Sequence, residues 1–326
     1  MLTFEEFQQY VRENIIEYMP VAYKNAKVFV DNTVKNNGLE LVGLCVQKEG
    51  SNIGPRVYLE GAYGAYGDGA VLEDIMNSIA RSIVDFVPPM EYENLGERLR
   101  DFEWVKDRLC MKMINLRKNM NLLKEVPYFR WEDLAVVYQI NVATTKEETH
   151  VAIVSNALLE EWGVDKATVH KFAMENSRRI NPATVQPMSS VLAGLAQNLG
   201  MEVSEVEEHP GISFPLYVIS NTKRVNGAAA ILYDESVLEK LGNYFGEDFL
   251  LLPSSVHEWI AIPSQCKGTV TDIGYFHNMV KEINMTQVSA DEVLADNVYY
   301  CSIKNDYRVS ALFDQDKIIR AGSLNR

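Results

Sequence analysis

One short segment places two hydroxyls and an adjacent histidine and glutamate between apolar runs, and these residue types could serve acid–base or hydrolytic chemistry. It reads Pro253-Ser254-Ser255-Val256-His257-Glu258 and lies between Phe249–Leu252 and Trp259–Pro263. Polar groups cost free energy in buried surroundings unless they find partners. The segment therefore predicts either a functional site or a set of satisfied structural hydrogen bonds.

The segment matches no complete catalytic motif. An HExxH zinc site needs a second histidine where this chain has Ala261, and no GxSxG nucleophile elbow is present. If Val256–Ile262 forms a strand, His257 and Glu258 face opposite sides and cannot act together as a base and its orienting acid. The two serines follow a proline at a strand end, where hydroxyls commonly bond the backbone. A structural role is favoured, and catalysis is the alternative.

A glycine-rich run, Gly61–Gly69, follows a predicted strand and precedes a predicted helix, as a phosphate-binding loop would. It matches neither the dinucleotide nor the P-loop pattern, and it supplies Asp68 where an anion would favour lysine. Tyr63 and Tyr66 could stack on a planar ligand. The alternative is a tight turn whose glycines permit positive φ and whose tyrosines lie on the surface.

A locally basic stretch occupies a predicted helical region, 104–124. Its cations are Lys106, Arg108, Lys112, Arg117, Lys118 and Lys124. Such a cluster could contact nucleic acid or another acidic partner. An ordinary solvated helix face is favoured, because the chain as a whole is acidic.

Composition excludes several classes of protein. The 326 residues are 47% apolar and carry a net charge of -14, which is typical of a globular protein and disfavours nucleic acid and anionic lipid as partners. No segment approaches the roughly 20 apolar residues needed to cross a bilayer. No export signal is present, and the four scattered cysteines predict reduced thiols. We therefore expect a soluble cytoplasmic protein without membrane contact.

No metal site or cofactor is predicted. The histidines outside the segment show no metal-ligand spacing with one another; they are His150, His170, His209 and His277. No cofactor fingerprint is present either.

The order of predicted elements favours an α+β fold with largely antiparallel or mixed sheets and packed helices, because hairpins outnumber βαβ alternation. Residues 1–122 are predicted to hold a helix, a hairpin turning at Asn36-Asn37-Gly38, a third strand and two helices, the second over Asn94–Ile114. Residues 123–326 form a second α+β domain that carries the histidine segment. Its predicted strands include Ala228–Tyr233.

Several segments, in this order, resemble DUF5688, a family of uncharacterised bacterial proteins. They include Val57-Tyr58-Leu59-Glu60 with Tyr63, Tyr66 and Gly69, Trp131–Ala135, Tyr217–Asn221 with Gly227-Ala228-Ala229, Pro253–Glu258 and Glu292–Asp296. The resemblance spans nearly the whole chain. It implies one architectural unit and no mechanism, because the family carries no established activity.

These observations favour a protein that binds a small molecule or a protein partner without catalysis, with Tyr63, Tyr66 and Asp68 as the recognition element. The alternative is a hydrolase or transferase in which His257 is the general base and Asn221 and Ser255 supply hydrogen-bond donors. Glu258 is a further candidate catalytic residue of this site. A second alternative is nucleic-acid contact through the basic helix 104–124, which predicts strongly salt-dependent binding.

Overall fold

The computed structural model describes residues 1–51, 54–87, 92, 94–144, 149–198, 215–266, 269–270 and 272–313. Its contacts divide the chain into two compact units, Met1–Glu93 and Asn94–Arg326. The sequence-based boundary after residue 122 differs from this division. A boundary after residue 122 would separate the strand Leu109–Asn115 from its antiparallel partner, residues 134–140. The contacts therefore place the division earlier in the chain.

The first unit packs three helices against a small antiparallel sheet of order β1-β2-β3. Its elements are α1 (Phe4–Asn14), β1 (Lys27–Val34), β2 (Glu40–Gln47), β3 (Arg56–Tyr58), α2 (Leu59–Gly67) and α3 (Leu72–Val84). Thr3 and Glu6 form a capping box that begins α1. The predicted hairpin is confirmed, with Asn37 and Gly38 at positive φ in its turn.

The predicted glycine-rich loop is wrong, because Leu59–Gly67 forms α2. Leu59, Tyr63 and Tyr66 recur at helical spacing, and this helical face packs into the core of the first unit. Burial of the face outweighs the low helix propensity of the glycines.

The second unit contains most of the secondary structure. Its helices are α4 (Leu95–Arg100), α5 (Phe102–Val105), α6 (Asn156–Trp162), α7 (Lys166–Ile180), α8 (Met188–Asn198), α9 (Ala230–Tyr233), α10 (Ser236–Phe245) and α11 (Ile273–Thr286). Its strands are β4 (Leu109–Asn115), β5 (Phe129–Trp131), β6 (Leu134–Thr144), β7 (Thr149–Ile153), β8 (Ala183–Pro187), β9 (Tyr217–Asn221), β10 (Phe249–Ser255), β11 (Glu258–Pro263), β12 (Gln265–Cys266), β13 (Thr269–Val270), β14 (Tyr299–Ser302) and β15 (Arg308–Ala311).

Two larger antiparallel sheets in this unit share one apolar core. The first has the order β4-β6-β5, with β7 also paired to β6, and the second has the order β15-β14-β10-β11-β9-β8. Trp131 from the first sheet contacts Trp259 and Tyr299 from the second, with ring centroids 6.2 and 5.7 Å away. Helices α7 and α10 also contribute to this core. The α+β class with antiparallel sheets is therefore confirmed.

Two predicted elements of this unit are wrong. The predicted helix Asn94–Ile114 consists of α4 and α5 followed by strand β4, so the basic stretch is not one helix. Leu109 and Met113 do face the shared core, but Ile114 is buried in a separate cluster on the other side of the sheet. The predicted strand Ala228–Tyr233 is instead a 3-10 turn and α9, buried from end to end apart from its partly exposed leucine.

Candidate functional site

His257 lies in the two-residue turn that joins β10 to β11, and not on a strand as predicted. Val256, the other turn residue, is buried. Its N–H donates to the carbonyl of Glu292 (2.8 Å), and its own carbonyl accepts from the N–H of Ala228 (3.2 Å). Contacts with two segments distant in sequence therefore fix the turn, and strand alternation does not apply to His257 and its neighbour Glu258.

Both ring nitrogens of His257 are engaged. Nδ1 accepts a hydrogen bond from the backbone N–H of Asn226 (3.0 Å), and Nε2 lies 3.3 Å from Oε1 of Glu292. A peptide N–H can only donate, so the lone pair on Nδ1 is used and the proton of the neutral ring is on Nε2, facing the carboxylate. The side chain is 29% exposed. Even so, no lone pair is free to take a proton from a substrate.

The other polar side chains of the segment bond locally. Ser254 Oγ donates to Oε1 of Glu258 (3.3 Å), and Ser255 Oγ accepts from the N–H of His257 (3.1 Å). The serines thus stabilise the end of the hairpin, as hydroxyls at strand ends commonly do. Neither bond aligns a hydroxyl with the imidazole of His257 as a nucleophile would require.

Asn221 is buried at the end of β9, and its amide closes the loop that follows. Oδ1 accepts from the N–H groups of Lys223 (3.0 Å) and Val225 (3.4 Å), and Nδ2 donates to the carbonyl of Val225 (2.8 Å). The loop then presents the N–H of Asn226, which has a left-handed φ of 52°, to His257. Asn221 therefore acts on His257 through the loop and not as a direct donor.

Gly227 completes what we call the His257 node: Ser220, Asn226, Gly227, Val256, His257 and Glu292. Ser220 Oγ donates to the carbonyl of His257 (2.8 Å). A Cβ on Gly227 would lie 2.4 Å from that carbonyl oxygen and 2.4 Å from Ser220 Oγ, so no side chain fits. Next to the node, the indole N–H of buried Trp259 donates to the carbonyl of Ala228 (2.8 Å). The node joins four segments of the chain by satisfied hydrogen bonds.

The tyrosines predicted to bind a ligand contact helix α1 of the first unit. The hydroxyl of Tyr63 donates to the carbonyl of Leu2 (3.1 Å), and that of Tyr66 accepts from the N–H of the same residue (3.4 Å). Both rings lie within 6 Å of Phe7. Asp68 is exposed at the end of α2. These contacts favour a structural role, and ligand binding by the three residues stays a prediction.

The basic stretch is divided among several elements. Lys106 pairs with Glu103 (2.5 Å), and Lys118 lies 3.9 Å from a carboxylate oxygen of Asp296. The guanidinium of Arg108 lies 4.2 Å from the ring centroid of Trp104. No continuous basic helix face is formed, because strand β4 interrupts the stretch.

The other histidines that were candidate metal ligands have different contacts. His170 Nδ1 lies 2.8 Å from the hydroxyl of Tyr138, and the His277 ring stacks on Phe313; His209 lies outside the described residues. Within the described ranges, no group of three or more His, Cys, Asp or Glu side chains is placed to hold a metal ion. No helix in that part of the chain is both long enough and apolar enough to cross a membrane.

Cys110 lines a small crevice beside Lys223 and Asn226, with a volume of about 20 Å³. Burial raises the pKa of this thiol to about 11. The thiol is therefore protonated at neutral pH and is not an activated nucleophile.

A much larger concavity lies between β5 and the helices α6 and α7. We call it the Phe129 groove; its volume is about 580 Å³ and its described lining is Leu123, Val126, Pro127, Tyr128, Phe129, Arg130, Asn156, Leu159 and Lys166. Burial of Leu123 and Val126 in a small core cluster fixes its apolar side. Asn156 is held at the rim by a hydrogen bond from its Nδ2 to the carbonyl of Lys124 (3.1 Å).

The charged side chains in this lining are both cationic. Lys166 begins α7, and its ammonium lies 4.9 Å from the ring centroid of Phe129. Arg130 is exposed, and its Nε donates to the carbonyl of Glu132 (2.8 Å). The groove thus joins an apolar, aromatic surface to two positive charges.

The model of the family of unknown function DUF5688 matches residues 4–302. The chain belongs to the DUF5688 family. No curated protein matches this chain, and no solved structure matches it. Four of the segments that carry the family resemblance supply every residue of the His257 node except Asn226; they are Tyr217–Asn221, Gly227–Ala229, Pro253–Glu258 and Glu292–Asp296.

Sequence reasoning did not find the Phe129 groove of this DUF5688 chain. Its lining comes from residues 123–130, from Asn156 and Leu159 in α6, and from Lys166 at the start of α7. No fixed spacing relates these positions. The available signal was the sequence Tyr128-Phe129-Arg130, two aromatic residues and a cation at a short strand, which is too common to identify a site by itself.

Proposed function

We propose that this DUF5688 protein binds a small, largely apolar molecule in the Phe129 groove and does not transform it. The observation that supports this most directly is the groove itself, whose volume of about 580 Å³ falls within the roughly 300–1,000 Å³ of small-molecule sites. Apolar side chains contribute contact area, and a few polar groups at the rim orient the ligand, which is the usual composition of such sites.

Two features support binding without catalysis. The described lining contains no carboxylate, imidazole, thiol or serine hydroxyl, which are the commonest acid–base and nucleophilic groups. The strongest sequence candidate for a general base, His257, uses both ring nitrogens within its own node. The proposal thus keeps the binding function expected from the sequence and moves it from Tyr63 and Tyr66 to the groove.

Binding is tested by titration with the uncharged fluorophore N-phenyl-1-naphthylamine, whose emission rises in apolar surroundings. We expect saturable binding with one site per chain. Asn156→Trp should weaken it by about tenfold or more, because an indole at the rim fills the space that the probe needs.

Ala157→Trp is the matched control. Ala157 is exposed on the same helix and is not part of the described lining, so the same indole should leave the affinity unchanged. Absence of saturable binding to the wild-type protein, or equal loss in both variants, would refute the proposed location.

The hydrolase or transferase alternative and the nucleic-acid alternative stay predictions. The first requires an activity that His257→Ala removes, and the second requires a DNA or RNA mobility shift at low salt that weakens steeply as salt is added. The cytoplasmic location is likewise a proposal, to be checked by cell fractionation.

A further inference from the structure

We infer that the ligand of the Phe129 groove is an amphipathic monoanion, an organic acid with one carboxylate or sulfonate on an apolar body. This inference rests on the proposed function and specifies its ligand class. It follows from the charges of the lining, the position of Lys166 and the shape of the apolar surface.

The charge of the groove is opposite to that of the whole chain. The chain has 45 acidic and 31 basic residues, yet the described lining contains two cations and no acid. Two nearby acids have other bonds, whereas Glu125, next to Val126, is exposed: Asp165 accepts from the N–H of Thr168 (2.8 Å), and Glu132 accepts from the N–H of Ala311 (3.1 Å). An anion that binds the ammonium of Lys166 therefore gains attraction without displacing an acidic side chain of the described residues from it.

Lys166 is positioned for such an anion. Its ammonium lies over the ring of Phe129 and forms no ion pair with any residue of the described ranges. Lys166 is exposed, and the ring of Phe129 holds its ammonium at the border between the apolar surface and the solvent. A single anionic group can thus be bound while the rest of the ligand covers the ring.

The apolar surface limits the rest of the ligand. Leu123, Val126 and Leu159 supply an aliphatic wall, and Phe129 supplies an aromatic one. A second charge that lies against these side chains, and away from Lys166 and Arg130, carries a desolvation cost. The Phe129 groove therefore suits a ligand that has one charged end and an uncharged body.

The test compares two fluorophores of nearly the same shape, the anion 8-anilinonaphthalene-1-sulfonate and uncharged N-phenyl-1-naphthylamine. The wild-type protein should bind the anion about tenfold more tightly, as expected for one charge-assisted contact. Lys166→Glu should weaken binding of the anion by about tenfold or more, and by a clearly larger factor than it weakens binding of the neutral probe. Lys166→Met should weaken the anion less, because it removes the attraction without adding repulsion.

Lys171→Glu is the matched control, because Lys171 is exposed on the same helix and is not part of the described lining. It makes the same change of charge and should leave both affinities unchanged. Competition with 2-naphthoate and with decanoate then separates an aromatic from an alkyl body. Displacement of the sulfonate probe by either acid supports the inference.

The outcomes separate the inference from the proposed function. Equal affinity for the two fluorophores, with no effect of Lys166→Glu, overturns the monoanion and leaves the binding groove standing. Equal weakening by Lys166→Glu and Lys171→Glu also overturns it, because the effect is then one of net charge. If neither probe binds, both the monoanion inference and the proposed binding function are overturned.

Discussion

Individual hydrogen bonds explain why the histidine segment looked chemically active in the sequence. The expectation that its polar groups need partners is met, because the hydroxyls of Ser254 and Ser255 and both nitrogens of His257 have them. The sequence could not reveal that Val256 and His257 form a turn, since neither is a typical turn residue. Bonds from Val256 to distant segments impose the turn, and local propensity does not encode such bonds.

Gly227 is the residue on which the His257 node depends most directly. Gly227→Ala should lower the free energy of unfolding by about 1–3 kcal/mol, because the new methyl group must displace the carbonyl of His257 and Ser220 Oγ. Urea denaturation measures the change. Gly96→Ala is the control: Gly96 lies in α4 with open space at its Cβ position, so alanine should be neutral or slightly stabilising. Equal stability of the wild-type protein and Gly227→Ala would contradict this account of the node.

At the scale of elements, the turn sequence Asn36-Asn37-Gly38 predicted the hairpin of the first unit correctly, whereas apolar spacing failed where packing decides the structure. Leu95, Leu99, Phe102, Val105 and Leu109 recur at helical spacing, yet the helices end before Leu109. Strand β4 forms because all seven of its residues pair with β6 and both of its faces are buried. An element buried on both faces carries no clear periodicity, so the sequence alone does not distinguish strand from helix there.

The contact between α7 and β6 gives the molecule a pH dependence. His170 in α7 bonds the hydroxyl of Tyr138 in β6 and lies against Phe129, with Lys166 one turn earlier. Burial lowers the pKa of His170 below its usual value of about 6.5, so the folded state disfavours the protonated ring. Its contribution to stability is complete above pH about 6.5 and is lost as the pH falls from there through the folded-state pKa.

Urea denaturation at a series of pH values should therefore show a free energy of unfolding that decreases as the pH falls below about 6.5. His170→Gln keeps an acceptor for Tyr138 and should reduce the slope. The remaining slope belongs in part to His277, whose pKa is also lowered by burial and by Lys281. An unchanged slope in His170→Gln would contradict the role assigned to His170.

At the scale of the whole molecule, the two compact units have separate cores. Every residue of the core of the first unit lies between Leu2 and Ile83, and the shared core of the two larger sheets begins at Leu99. The apolar content of the sequence is enough for one large core or for two ordinary ones, and it does not indicate where the chain divides. The division depends on β4, whose pairing with β6 could not be read from its sequence.

A fragment of residues 94–326 should therefore fold. It should show a cooperative urea unfolding transition, and it should bind the fluorophore. A fragment of residues 123–326 lacks β4 and leaves one edge of β6 and the core residues Met111 and Met113 without their strand, so it should lack both properties. Circular dichroism and the fluorophore titration compare the two fragments. Cooperative folding of the shorter fragment would show that the boundary lies nearer to residue 122.

The central claim, that the Phe129 groove is the binding site, is tested most directly by methyl NMR of the leucine- and valine-labelled protein titrated with 8-anilinonaphthalene-1-sulfonate. We predict saturable shifts of the methyl resonances of Leu123, Val126 and Leu159, which line the groove. The methyl resonances of Leu44 and Val46, in the core of the first unit, should not move. Saturable shifts confined to residues outside the groove would contradict the claim.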